Sequence, residues 1–216
     1  MNVLIVGANG GIGRILSKQL SDQQGMSPIA MIRKEDQKTY FDDIGVETTM
    51  GDLEDSVDEL ANVFSGADAI VFTAGSGGKT DYDKTLEIDL DAAVKCIEAS
   101  EKERIKRFVM VSVISADNRD AWNSSPIKPY MIAKHYADRA LKNSKLDYTI
   151  VRPGGLTDNP GNGTITTAPF SNSESKIPRE DVASTILECL NNEKSKNKIL
   201  EIVSGETTIK EAVSTL

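Results

Sequence analysis

The sequence predicts an α/β fold, a doubly wound parallel sheet with helices on both faces. Short apolar runs suited to buried strands recur along the chain, segments with helical apolar spacing separate them, and the first run passes straight into a glycine-rich turn and a helix. Strands are expected near residues 2–6, 28–32, 46–50, 67–73, 107–112, 147–152 and 199–203. Helices are expected near 11–22, 35–44, 54–64, 83–101, 128–143, 179–191 and 208–214. In the helix over 83–101, Leu86, Leu90, Ala93, Val94 and Ile97 form one apolar stripe.

The first unit carries the most information. The run Val3 to Val6 breaks on Gly7, Gly10 and Gly13 follow at three-residue steps, and Ile12, Ile15, Leu16 and Leu20 fall at helical spacing. A strand, a turn and a helix in this order leave bare N–H groups and the positive end of the helix dipole facing the turn, which suits a diphosphate. Gly7 allows the sharp turn, Gly10 lets a ligand approach the backbone, and Gly13 lets helix and strand pack closely. Asn9, Gly11 and Ile12 complete this cofactor-binding turn of a Rossmann-type site.

The second strand ends on Arg33, twenty residues after Gly13. A fold that prefers NAD usually carries an acidic residue there to accept hydrogen bonds from the adenosine ribose. Arg33 followed by Lys34 suits a 2′-phosphate instead, so NADP(H) is expected over NAD(H). Glu35 and Asp36 then start a helix.

With 216 residues, 39% hydrophobic and 27% charged, the chain has the size and composition of one soluble domain spanning 1–216. A net charge of −8 without a basic cluster argues against nucleic acid or an anionic membrane as partner. No apolar run is long enough for a membrane span, and the first strand begins too early for a signal peptide, so a cytoplasmic location is expected. Cys96 and Cys189 fall within amphipathic helices and read as small buried hydrophobes. The single His135 argues against a multi-histidine metal site, and no metal is expected.

Two segments, 114–127 and 153–178, read as irregular. Both follow strand C-termini, the edge where such sheets bind ligands, and they are expected to wall a substrate site. Between them Tyr130 and Lys134 stand one helical turn apart on one face. An ammonium beside a phenol stabilises the phenolate, so Lys134 is expected to lower the Tyr130 pKa and make Tyr130 a general acid for a carbonyl oxygen receiving hydride. Ser112, at the end of the fifth strand, is the candidate third member, with Ser115 second.

Together the glycine pattern, the Tyr130/Lys134 pair and Val151 to Gly155 after the sixth strand resemble the short-chain dehydrogenase/reductase superfamily. More narrowly, the chain is similar to its small atypical NAD(P)-binding members, among them bacterial proteins labelled sugar epimerases and the flavin/biliverdin-IXβ reductases. The resemblance covers essentially the whole chain. It implies that Asp52 and Leu53 flank the adenine, that Thr73, Ala74 and Gly75 line the adenosine side, and that Lys134 holds the nicotinamide ribose. It also implies that Pro153, Gly154 and Leu156 lie near the nicotinamide. From the residues alone, Asp52 could equally cap the following helix. The serine region, Val111 to Ser115, matches the family pattern loosely.

Gly75 to Thr80 imitates a phosphate-binding P-loop, but the position that needs its first glycine holds Thr73. His135 points about 100° away from the Tyr130–Lys134 face and is expected to pack rather than react. The expected function is an NADP(H)-dependent oxidoreductase acting on a small carbonyl, quinone or flavin-like molecule, as a monomer or small homo-oligomer. One rival is an NAD-dependent nucleotide-sugar epimerase or dehydratase, for which the roughly sixty residues after Arg152 leave little to grip a nucleotide diphosphate sugar. The other is a non-catalytic NADP(H)-binding regulator or scaffold.

Overall fold

In the computed structural model, which describes residues 1–77, 81–167 and 176–216, the strands are β1 (Asn2–Val6), β2 (Ser27–Ile32), β3 (Glu47–Met50), β4 (Ala69–Phe72), β5 (Arg107–Val111), β6 (Asp147–Pro153), β7 (Gly155–Thr157), β8 (Thr164–Thr166), β9 (Lys176–Pro178), β10 (Lys198–Ser204) and β11 (Thr207–Thr208). The helices are α1 (Gly11–Ser21), α2 (Lys38–Asp43), α3 (Val57–Phe64), α4 (Tyr82–Lys84), α5 (Ala92–Lys102), α6 (Arg119–Asn123), α7 (Lys128–Asn143), α8 (Arg179–Asn191) and α9 (Ile209–Ser214).

Side-chain alternation places the two helical layers. Val3 and Ile5 of β1 enter one core while Leu4 and Val6 enter the other, and Val71/Phe72 and Val109/Met110 divide the same way. The first core is closed by α1 and α8 through Leu16, Leu20, Val182 and Ile186, and the second by α3, α5 and α7 through Leu60, Phe64, Cys96 and Leu141. With both faces covered, Val3–Val6 of β1, all of β4 and Phe108–Val111 of β5 are buried and apolar in succession rather than alternating.

The main sheet runs β11-β8-β10-β6-β5-β4-β1-β2-β3. From β3 to β10 every pairing is parallel, and the order reverses between β1 and β4. Dinucleotides bind outside the strand C-termini at such a reversal. The loops after β1 and β4 therefore meet there: Thr73 donates from its backbone N–H to the Val6 carbonyl at 2.9 Å, and from its hydroxyl to the Val6 and Gly7 carbonyls at 3.0 and 3.2 Å.

Three expectations need correction. Segment 153–178 is not wholly irregular: it holds β7, β8 and β9, with β8 pairing antiparallel to β10 and β7 pairing parallel to β9. Its residues 168–175 lie outside the described part, as do residues 78–80 of the P-loop imitation. Segment 114–127 contains α6, capped by the Asn118 side chain. The helix expected over 83–101 carries a π-helical segment, Thr85–Asp91, between α4 and α5. Its wider turn shifts the phase of the apolar stripe, so Leu86 is 56% exposed and Thr85 and Asp89 turn inward.

Candidate active site

At the reversal point lies a cleft of about 550 Å³. Nine expected cofactor residues line it: Gly7, Asn9, Gly10, Arg33, Asp52, Leu53, Thr73, Ala74 and Gly75. Gly7 has φ +82°, and a Cβ there would stand 2.6 Å from the Ala74 nitrogen, so the turn requires glycine twice over. A Cβ on Gly13 would meet Ala8 Cα at 2.7 Å, which is the close helix–strand packing expected of that position. At Gly10 only the Gly7 carbonyl, 3.2 Å away, is near an added Cβ, which otherwise enters the open cleft. The cradle thus fits a dinucleotide's diphosphate, because any side chain at Gly10 would occupy that space. Ile12 and Gly13 are buried beneath the turn rather than on its surface.

At the far end Gln37 Oε1 accepts from the backbone N–H groups of Arg33 and Lys34 at 2.9 and 3.2 Å and fixes the strand-end turn. Among the described residues the Arg33 guanidinium has no hydrogen-bond or ion-pair partner. Asp52 lines the cleft and accepts from Glu54 N at 3.1 Å in a local turn, while the following helix α3 is capped by Ser56 and not by Asp52. Sequence reasoning missed Gln37, Glu54 and Lys84, which also line the cleft; Lys84 bridges Glu54 at 2.7 Å.

On α7, Tyr130, Lys134 and Asp138 fall four residues apart on one face. Lys134 is buried; its Nζ lies 3.2 Å from Asp89 Oδ1, donates to the Val111 carbonyl at 3.3 Å and to the Ala74 carbonyl at 3.5 Å, and sits 5.6 Å from the centre of the Tyr130 ring. Asp89 Oδ2 accepts from the Ser76 N–H and hydroxyl at 3.1 and 2.8 Å. The π-helical segment is what turns Asp89 toward Lys134, and period-3.6 reasoning had no means to find it.

The expected lowering of the Tyr130 pKa is not what this arrangement produces. Burial pushes the phenol up, Lys134 opposes this, and Asp89 and Asp138 add to the rise, leaving it above the usual tyrosine value. Lys134 is the one lowering influence on the phenol, and burial outweighs it. Burial alone would pull the Lys134 ammonium down, but Tyr130 and Asp89 outweigh it and hold its pKa above the ordinary lysine value.

Beneath Lys134, Asp138 Oδ2 accepts from Arg152 Nε at 2.9 Å, and Arg152 also meets Asp117 and Glu201 at 3.0 and 3.4 Å. Burial raises the Asp138 carboxyl against the pull of Arg152 and Ser112. Ser112 is buried with its hydroxyl directed to Asp138 but short of a hydrogen bond. Ser115 holds a left-handed conformation (φ +59°), with its N–H donated to Glu201 at 2.9 Å. The strand pairs tie down Pro153 and Gly154: the Pro153 carbonyl accepts from Ile114 N at 3.0 Å, and Gly154 N donates to the Ile202 carbonyl at 2.9 Å. Leu156 stands exposed on β7. Pro153, Gly154, Leu156, Gly11, Ile12, Gly13, Lys134, Tyr130 and Ser112 do not line the 550 Å³ cleft.

His135 Nδ1 lies 3.1 Å from the Ala116 carbonyl and its ring stacks edge-on to Trp122, a packing role. Cys96 and Cys189 are buried free thiols whose pKa values burial raises, Cys189 to about 12. No helix of the described residues is long and apolar enough to cross a membrane.

Residues 7–193 match the sequence profile of a family described as NAD(P)H-binding. A Bacillus subtilis (strain 168) protein named as the uncharacterized sugar epimerase YhfK is 47% identical over 216 residues, all of both chains. A solved structure from Bacillus halodurans, which carries the provisional name NAD-dependent epimerase/dehydratase, matches at TM-score 0.93 and 40% identity over the whole of both chains. ChuY, an anaerobillin reductase from Escherichia coli O157:H7, matches at TM-score 0.78 and 25% identity, over 96% of this chain and 99% of its own.

Proposed function

This chain belongs to the NAD(P)H-binding family, and from that premise we propose that it is an NADP(H)-dependent reductase of a small carbonyl, quinone or flavin-like substrate. The observation that carries the reading is the position of Lys134, one buried ammonium that reaches the Ala74 carbonyl on the cofactor cleft and lies against the Tyr130 ring. Cofactor side and proton donor are joined through a single side chain. A bound dinucleotide would supply a hydride from its nicotinamide. Gly10 and its neighbours hold the diphosphate, Asp52 and Leu53 flank the adenine, and Thr73, Ala74 and Gly75 line the adenosine side. Arg33 meets the 2′-phosphate with a guanidinium that has no other partner among the described residues. Lys134 holds the nicotinamide ribose, with Pro153, Gly154 and Leu156 at the nicotinamide end. Tyr130 gives its phenolic proton to the substrate oxygen, and Ser112 orients the substrate. The reductase name of ChuY supports this direction.

A second reading, an NAD-dependent sugar epimerase, is favoured by the names of the Bacillus relatives. Titration of NADPH and NADH against wild type and Arg33→Ala separates the two. A charge-assisted hydrogen bond is worth about 1.5–3 kcal/mol, so the wild type is expected to prefer NADPH by roughly ten- to a hundredfold and the variant to lose that preference. Equal affinities in the wild type would overturn the NADP assignment.

A further inference from the structure

At the other end of the chain from the glycine turn, Arg179 opens α8 and lays its side chain across Gly11, the first residue of α1. A Cβ on Gly11 would stand 2.8 Å from Arg179 Cδ and 3.1 Å from its Nε. The first turn of α1 offers its N–H groups to an anion without internal competition, since the N-cap is Gly10, no side chain caps it, and the turn holds no acidic residue. Arg179 therefore places a guanidinium beside a set of unclaimed donors.

Its present partner is weak. Arg179 Nη1 donates to Asp158 Oδ1 at 2.6 Å, but Asp158 is 89% exposed and Arg179 29%, and an exposed pair of this kind contributes little. The backbone under Arg179 is firmly held, in contrast. Glu180 accepts from Gly161 N at 2.8 Å, and Asp181 accepts from Asn162 N and Gly163 N at 3.2 and 2.8 Å. Only the side chain is left to exchange partners.

We infer that Arg179 is the cationic partner of the bound dinucleotide's diphosphate, and that Asp158 holds it in place until the ligand takes it over. The inference rests on the dinucleotide reading of the cleft. A planar guanidinium meets two phosphate oxygens at once, whereas the exposed Asp158 offers one carboxylate in competition with water.

ADP and 2′-AMP as probes separate this role from the others, because ADP carries the diphosphate without a 2′-phosphate and 2′-AMP the reverse. Calorimetric titration of Arg179→Ala is expected to show ADP and NADPH binding at least tenfold weaker, with 2′-AMP within twofold of wild type. Arg33→Ala is expected to weaken 2′-AMP and NADPH and to leave ADP within twofold of wild type, and Arg179→Lys to show an intermediate loss. Asp158→Asn is expected to bind ADP two- to fivefold tighter, a gain that a merely structural pair would not give. Unchanged ADP affinity in Arg179→Ala, or an equal loss of ADP and 2′-AMP, would overturn the role of Arg179 while leaving the dinucleotide site standing. A wild type that binds none of NADPH, NADH and ADP would remove the dinucleotide site and this inference with it.

Discussion

Lys134 Nζ lies 3.2 Å from Asp89 Oδ1, with the two side chains 3% and 0% exposed. Burial sets the direction of the Tyr130 shift, and the two members of the pair act on the phenol with opposite signs. The Lys134 ammonium favours the phenolate, whereas the Asp89 carboxylate beside it disfavours it.

Replacing the carboxylate should therefore have two separable effects. Asp89→Asn leaves the Lys134 charge buried and unpaired, and removal of one partner of a buried pair costs about 3–5 kcal/mol. Chemical denaturation should read a loss of that order. In the same variant the Tyr130 phenol, relieved of a nearby anion, should lose its proton more readily.

The pH profile reads that second effect. A general acid works only while protonated, so a Tyr130 pKa raised above the usual tyrosine value keeps activity through neutral and mildly alkaline pH. In the wild type the alkaline fall of kcat/KM should lie above about pH 10, the ordinary tyrosine value. In Asp89→Asn it should move toward neutrality. A wild-type profile already falling between pH 7 and 9 would contradict the burial argument.

Tyr130→Phe keeps the ring and removes the hydroxyl. NADPH affinity should stay within about threefold, while turnover falls on the order of a hundred- to ten-thousandfold, the usual range for acid–base catalysis. Lys134→Met should lower both, because Lys134 also reaches the cleft wall at Ala74. Full turnover in Tyr130→Phe would mean that solvent supplies the proton.

Gly10→Val should abolish dinucleotide binding in a chain that still folds. Only the Gly7 carbonyl is near an added Cβ, so the branched side chain enters the cleft rather than the core. Circular dichroism checks the fold and calorimetry the binding; a folded variant that binds NADPH normally would place the diphosphate elsewhere.

The fold and the glycine turn that lines the cleft were legible because both are written locally. Gly7, Gly10 and Gly13 sit within one strand–turn–helix, and the apolar runs of β1, β4 and β5 announce strands buried on both faces. What escaped depends on contacts between distant segments or on a change of helical pitch. Nothing in the apolar spacing of Leu86 and Leu90 signals a π-helical segment that exposes the first and brings Asp89 inward. β8 exists because β10 and β11 pair with it, so its residues read alone as loop. Arg179 reaches Gly11 across the interface of α1 and α8, a proximity no local pattern records. The Tyr130/Lys134 spacing was visible, but the direction of the Tyr130 shift was not, since it depends on burial and on Asp89 and Asp138.

The most direct measurement is substrate-dependent oxidation of NADPH by the purified wild-type chain, followed with a panel of small aldehydes and ketones, quinones and free flavins, alongside Tyr130→Phe. The account predicts turnover with at least one member of the panel, faster with NADPH than with NADH, and a loss of rate in the variant. Tight NADPH binding with no turnover across the panel would contradict it, and would make the chain a dinucleotide-binding protein rather than a reductase.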